Sequence, residues 1–288
     1  MPFFRSVAVV AFVLAAFPAV AAPPVRVVAA ENVYGGVARA LGGVEVVSIM
    51  SNPDQDPHLF ETAPAVARQI AGAQIVIANG AGYDPWMDKL IAAMPRPGRV
   101  VINVAALTGK KAGDNPHLWY DPATMPAVAS AIADALAKAD PTGAAGYAER
   151  LKIVLAELAC VQQRVAALRT KWRGAPVTAT EPVFGPMADA LGLTMRNERF
   201  QLAMMNDTEP SARDVAAFED DLRQHRVKVL LYNKQISGKL TERLIAIART
   251  SKISVVAVTE TQPADVSFSD WMLGELDALD KALSGSNS

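Results

Sequence analysis

Cysteine occurs once and histidine three times in the 288 residues. A single Cys160 rules out an intramolecular disulfide, and its mid-chain place in a helical pattern is wrong for a lipid anchor at a mature N-terminus. No run of basic residues occurs. With 28 Lys and Arg against 29 Asp and Glu the formal net charge is −1. Nucleic-acid binding therefore has little electrostatic support. No P-loop, no Gly-x-Ser-x-Gly and no His-Glu-x-x-His occurs, which removes the most readily recognised enzyme classes. Past the first two dozen residues no apolar stretch is a credible membrane span. What remains is a hydrophobic content of 51% with 20% charged residues, as in a soluble globular protein with length enough for two domains.

The chain opens with "MPFFRSVAVVAFVLAAFPAVAA". One positive charge (Arg5), a short apolar core and small residues at Ala19 and Ala21 give it the form of a cleavable signal peptide. Cleavage after Ala21 or Ala22 is expected. The mature protein should then be exported, soluble and periplasmic, and not a lipoprotein.

Thereafter short apolar runs alternate with helical patterns. Residues 25–30, 44–50, 74–79 and 99–104 read as buried parallel strands, and 176–180, 193–197, 227–232 and 253–258 repeat the scheme. Helices are expected over 33–41, 63–71 (capped by Thr62, with Pro64 in its first turn), 85–93 and 123–138. In the second half they are expected over 182–191, 212–224 (capped by Ser211), 239–249 and 268–283. Between the halves, residues 144–172 hold no proline and one glycine, with aliphatic residues at helical spacing. This predicts one stiff helix rather than a flexible hinge. The expected fold is α/β, with two lobes of four mainly parallel strands each: residues 23–140 and 174–288, joined by a long helix over 141–173.

Two histidines fall in matching frames, His58 in "DPHLFETAP" and His117 in "NPHLWYDP", each following a strand. Strand 176–180 runs into Glu181, and strand 227–232 runs into Asn233. In an open parallel sheet, loops beyond the carboxyl ends of the strands form the ligand crevice. Four polar side chains, two per lobe, can thus converge across a cleft. Two imidazoles and a carboxylate suit a divalent transition metal. Each residue also has a plainer reading: loop or cap for the histidines, helix-dipole partner for Glu181, turn residue for Asn233. His225 reads as a surface residue. Cys160, Trp86, Trp119 and Trp271 read as packing residues.

The blocks "NPDQDPHLFETAP", "NGAGYDPWMDKL", "NPHLWYDP" and "EPSARDVAAFEDDL", with the long helix, resemble the periplasmic zinc/manganese solute-binding family of bacterial ABC importers. The resemblance runs through essentially the whole mature chain. It implies two α/β lobes on a rigid linking helix, with a metal held between them at four side-chain positions. His58 and His117 match the first two. The third falls on Glu181, where zinc-type members usually carry histidine and manganese- or iron-type members carry glutamate. The fourth, normally a carboxylate, falls on Asn233. The segment before His117 lacks the His-rich acidic loop of many zinc-type members. By resemblance the chain is a receptor, not an enzyme. Its cargo is Zn²⁺ by the Irving–Williams order, with Mn²⁺ or Fe²⁺ as alternatives. Its partners are a membrane permease and that permease's ATPase, and it is expected to act as a monomer. The rival readings are a receptor for another small solute with a degenerate metal site, and a zinc hydrolase with Asp207 or Glu209 as base.

Overall fold

The structure, a computed structural model, describes residues 24–42, 44–54, 57, 60–236 and 238–285. The expected signal segment, residues 1–22, and His58 lie outside them. Among the described residues no helix is long and apolar enough to cross a membrane.

The first lobe runs β1 (Val25–Glu31), α1 (Asn32–Leu41), β2 (Val44–Met50), α2 (Pro64–Gly72), β3 (Ile75–Ala78), α3 (Pro85–Ala93), β4 (Val100–Asn103), α4 (Val104–Leu107) and α5 (Thr124–Ala139). A rod, α6 (Ala144–Trp172), follows. The second lobe runs β5 (Pro176–Ala179), α7 (Gly185–Leu191), β6 (Thr194–Arg196), α8 (Glu198–Met205), α9 (Ala212–Arg223), β7 (Val229–Asn233), α10 (Lys239–Thr250), β8 (Ser254–Val258) and α11 (Phe268–Leu283). All the pairings between these strands are parallel. Such strands are covered on both faces, which is why they read as continuous apolar runs. The sheets have the same order, β2-β1-β3-β4 and β6-β5-β7-β8, so each changes winding direction beside its first strand. Ligand crevices open at such switch points.

At 29 residues, α6 is about 43 Å long. Its buried residues Val154, Leu158, Val161, Val165 and Leu168 recur at alternating steps of four and three, a narrow stripe along one side. That stripe belongs to a single apolar core that also contains Val27 and Ile77 of the first sheet and Val177 and Leu231 of the second. Along that stripe the rod packs against α1 and α5 of the first lobe and α7 and α11 of the second.

Local differences from expectation have simple causes. Helix α2 is capped at Ala63 with no side-chain bond, and Pro64 starts it. The Thr62 hydroxyl has no role as the cap, since the helix starts at Pro64, whose fixed φ suits the first turn, and Thr62 falls one residue before the cap. The predicted helix over 182–191 divides into a 3-10 turn (Pro182–Phe184) and α7, where a second proline, Pro186, begins the new helix. Ser211 caps α9 as expected, accepting from the Asp214 N–H. Cys160 is exposed, not a core residue, because the apolar stripe of α6 runs past it on the other side.

Candidate metal centre

His117 sits with its imidazole fully buried at the seam between the lobes. The Asx-Pro-His frame explains how it is held. Asn115 Oδ1 accepts from the backbone N–H of His117 at 3.0 Å and lies 2.8 Å from Nδ1. The Asn115 amide nitrogen donates to the Pro182 carbonyl at 2.7 Å, so its oxygen must be the group facing the imidazole. An acceptor oxygen there requires the proton on Nδ1, which leaves the Nε2 lone pair pointing outward. This is the tautomer a metal ligand needs, locked by a neighbour two residues upstream.

Nε2 faces Glu260 Oε2 at 3.1 Å, across the seam. With Nδ1 already protonated, a hydrogen bond here needs one further proton shared between imidazole and carboxylate. Tyr83 from the first lobe donates to the same oxygen at 2.9 Å. Burial, and then the Glu260 carboxylate, push the Tyr83 phenol well above its ordinary value, so it stays a donor. Glu260 follows β8 by two residues and is 2% exposed. Its backbone is held by Gln235, whose Oε1 accepts from the N–H groups of Glu260 and Thr261 at 2.5 and 3.0 Å.

Glu181, beyond β5, and Asn233, closing β7, are also buried. Asn233 Nδ2 donates to Glu181 Oε2 at 2.7 Å and to Glu260 Oε1 at 2.6 Å. Its Oδ1 accepts from the Gln235 backbone N–H at 3.0 Å, which fixes the orientation of the amide. An amide nitrogen has no lone pair to offer a cation. Asn233 therefore presents a donor, standing between two carboxylates, where the sequence suggested an oxygen ligand. The structure brings together three of the four expected residues, His117, Glu181 and Asn233, and His58 lies outside the described residues. It adds Glu260, which sequence reasoning missed although the strand-end rule applied to β8 would have reached it. Among the described residues no three His, Cys, Asp or Glu side chains stand at ligating spacing, as expected while an amide separates the two carboxylates.

Behind the centre lies a second acidic pair. Asp84 accepts from the Asn79 and Gly80 N–H groups at 2.8 and 2.7 Å, in a turn that needs the positive φ of Gly80. Burial nonetheless pushes its carboxyl up to about 6. Glu31, ending β1, is held well above the usual carboxylate range by burial and then by Asp84. Asp207 and Glu209, the bases considered for a hydrolase, are exposed on the segment before α9. His225 is exposed as well.

Comparison with known proteins decides the family. The family described as "Zinc-uptake complex component A periplasmic" (ZnuA) matches residues 27–282. The chain belongs to that family. The ZnuA family is one of periplasmic uptake components, not of enzymes. Among its relatives, the "High-affinity zinc uptake system protein ZnuA" of Bacillus subtilis is 22% identical over 260 residues, covering 82% of this chain and 80% of the relative. The "Iron-binding protein YfeA" of Yersinia pestis is 23% identical, covering 77% and 73%. The SBP FpvC of Pseudomonas aeruginosa, solved with Mn²⁺, superposes with a TM-score of 0.75 at 20% identity, covering 92% of this chain and all of that one. The relatives are thus named for zinc and for iron, and the superposed structure was solved with Mn²⁺.

Proposed function

We propose that this protein is a periplasmic receptor that binds one divalent transition metal between its lobes and delivers it to the permease of an ABC importer. The observation that carries the reading is His117 Nε2 facing Glu260 across the seam, with its tautomer locked by Asn115. The donor set is His58, His117, Glu181 and Glu260. Asn233 acts as the hydrogen-bonding bridge that holds the two carboxylates while no metal neutralises them. On binding, the metal replaces the proton shared by His117 and Glu260 and draws the carboxylates together.

Two imidazoles and two carboxylates accept Zn²⁺, Mn²⁺ or Fe²⁺. The Irving–Williams order makes Zn²⁺ the tightest of the three at such a set, and availability in the periplasm decides the cargo. Residues 1–22 direct export and are removed near Ala22. The mature receptor works as a soluble monomer whose lobes, 23–140 and 174–288, are joined by 141–173. Its partners are the permease and ATPase of one importer.

A metal-dependent melting experiment tests this. Metal at a thousandfold excess over its dissociation constant stabilises the folded form by about 4 kcal/mol. His58→Ala and His117→Ala should each lose most of that rise, read for each variant as the difference between its own melting temperatures with and without metal; the buried His117→Ala also lowers the metal-free value, since Asn115 and Glu260 lose their partner. If both keep the full rise, the metal binds elsewhere.

A further inference from the structure

Beside the centre, and outside its donor set, a hydrogen-bonded chain crosses the same seam. Tyr120, fully buried and three residues after His117, places its hydroxyl 2.7 Å from the Thr259 carbonyl and 2.8 Å from Glu275 Oε2. Thr259 immediately precedes Glu260. Glu275, a half-buried residue of α11, accepts through Oε1 from Trp271 Nε1 at 2.9 Å and from the Thr259 N–H at 3.4 Å.

Counting protons decides the state of this chain. A tyrosine hydroxyl has one proton, and here three oxygens stand within bonding distance of it, the Thr259 carbonyl at 2.7 Å and Glu275 Oε2 and Oε1 at 2.8 and 3.1 Å. Were Glu275 ionised, either its carboxylate or the Thr259 carbonyl would face Tyr120 with no proton between them, at the cost of an unmade buried bond. With a proton on Glu275 Oε2 both short contacts of the hydroxyl are satisfied: Glu275 donates to Tyr120, Tyr120 donates to Thr259, and Oε1 accepts from the Trp271 and Thr259 N–H groups. Burial agrees with the count, pushing the Glu275 carboxyl up to about 8 against the opposing bonds from Tyr120, Trp271 and Thr259. The groups facing it are Tyr120 from the first lobe, Thr259 from the end of β8 and Trp271 from its own helix. The Glu260 carboxylate acts on Tyr120 through its charge. The ionised residues nearby on α11 and α6, Asp277, Asp280, Arg164 and Lys171, pair with one another.

We propose that Glu275 is a positioning residue of the metal centre: its acid proton orders Tyr120 so that the phenol grips the Thr259 carbonyl, and this grip sets Glu260 opposite His117. The proposal rests on the metal-site reading above. Glutamine supplies what the neutral acid does, an N–H towards Tyr120 and an oxygen for the two N–H groups, with a second N–H besides, but has no proton to lose. Leucine fills the space and supplies neither. Below about pH 8 the wild-type chain is intact; above it Glu275 ionises, the Tyr120 proton turns to the carboxylate and the grip on Thr259 is released.

The test is competition of Zn²⁺ and of Mn²⁺ against a chelator of known affinity, from about pH 6 to about pH 9. The full mature chain is used as wild type, Glu275→Gln, Glu275→Leu, Tyr120→Phe and His117→Ala. Glu275→Leu and Tyr120→Phe should weaken binding about 10–100-fold at about pH 7, the usual loss for partners that orient ligands. Glu275→Gln should match wild type there and bind more tightly than wild type above about pH 8, the amide keeping its donor. Because all variants are compared with wild type at the same pH, metal hydrolysis cancels. Glu275→Gln as weak as Glu275→Leu, or a Gln-to-wild-type ratio flat across the range, overturns the proposal. Wild type binding neither metal, or His117→Ala binding as wild type, overturns the metal site itself and the positioning role with it.

Discussion

Replacing Asn233 with aspartate separates the two readings of that position. An oxygen ligand would become a better one when given a charge. In the structure, however, Asn233 Nδ2 donates to Glu181 and Glu260 at 2.7 and 2.6 Å, so Asn233→Asp sets a third carboxylate against two others in a buried site. Two charge-assisted hydrogen bonds are lost, each worth about 1.5–3 kcal/mol. Like charges about 4 Å apart add about 4 kcal/mol of repulsion per pair at an effective dielectric of about 20. Proton uptake caps that repulsion, because protonating an ordinary aspartate at pH 7 costs only about 4 kcal/mol. The introduced acid, once protonated, also restores one of the two donors. The metal-free protein should therefore lose about 3–5 kcal/mol at pH 7, or about 10 °C in melting temperature for a chain of this size. The sign with pH follows. The introduced carboxyl has a raised value in the folded state, so the loss grows as pH rises from about 4 and shrinks on acidification. Bound metal neutralises the cluster, so the metal-induced rise should exceed that of wild type. Thermal melts with and without Zn²⁺ at several pH values are sufficient. An unchanged metal-free melting temperature would refute the bridging role of Asn233.

Three further outcomes are expected. Asn115→Ala frees the His117 tautomer and should cost about 10–100-fold in metal affinity, read by chelator competition; undiminished affinity would show that the Nδ1 bond is dispensable. Metal binding should release the proton shared by His117 and Glu260, measurable by calorimetry in buffers of different ionisation enthalpy, and should release less in Glu260→Gln. Small-angle scattering should show little change of overall shape on loading. The α6 rod and the cross-seam bonds Asn32–Gln262, Tyr83–Glu260 and Tyr120–Thr259 leave no free hinge, and a closure comparable to that of hinged sugar receptors would contradict this.

Most of the fold was legible because parallel strands announce themselves as apolar runs and α6 carries an uninterrupted helical stripe. Helix α8 was not: of its eight residues just Phe200 and Gln201 are buried, too few for periodicity to register. The strand-end rule found His117, Glu181 and Asn233. It could not say which atom each side chain presents, since the amide of Asn233 is oriented by a backbone N–H two residues away. Glu260 escaped because the fourth position was assigned to β7. Yet β8 is β7's parallel neighbour, with Asn233 beside Val258, so the next residues, Thr259 and Glu260, emerge at the same crevice. Glu275 carries no signal at all in one dimension, being an ordinary polar residue of an amphipathic helix until Tyr120 is packed against it.

The central claim is the identity of the four ligands, and a crystal structure of the loaded protein with data collected across the absorption edge of the bound metal tests it most directly. One anomalous peak is expected about 2.0–2.2 Å from His58, His117 Nε2, Glu181 and Glu260, with Asn233 outside bonding distance. A peak coordinated by Asn233 Oδ1, or one that leaves Glu260 bonded only to His117 and Tyr83, would contradict it.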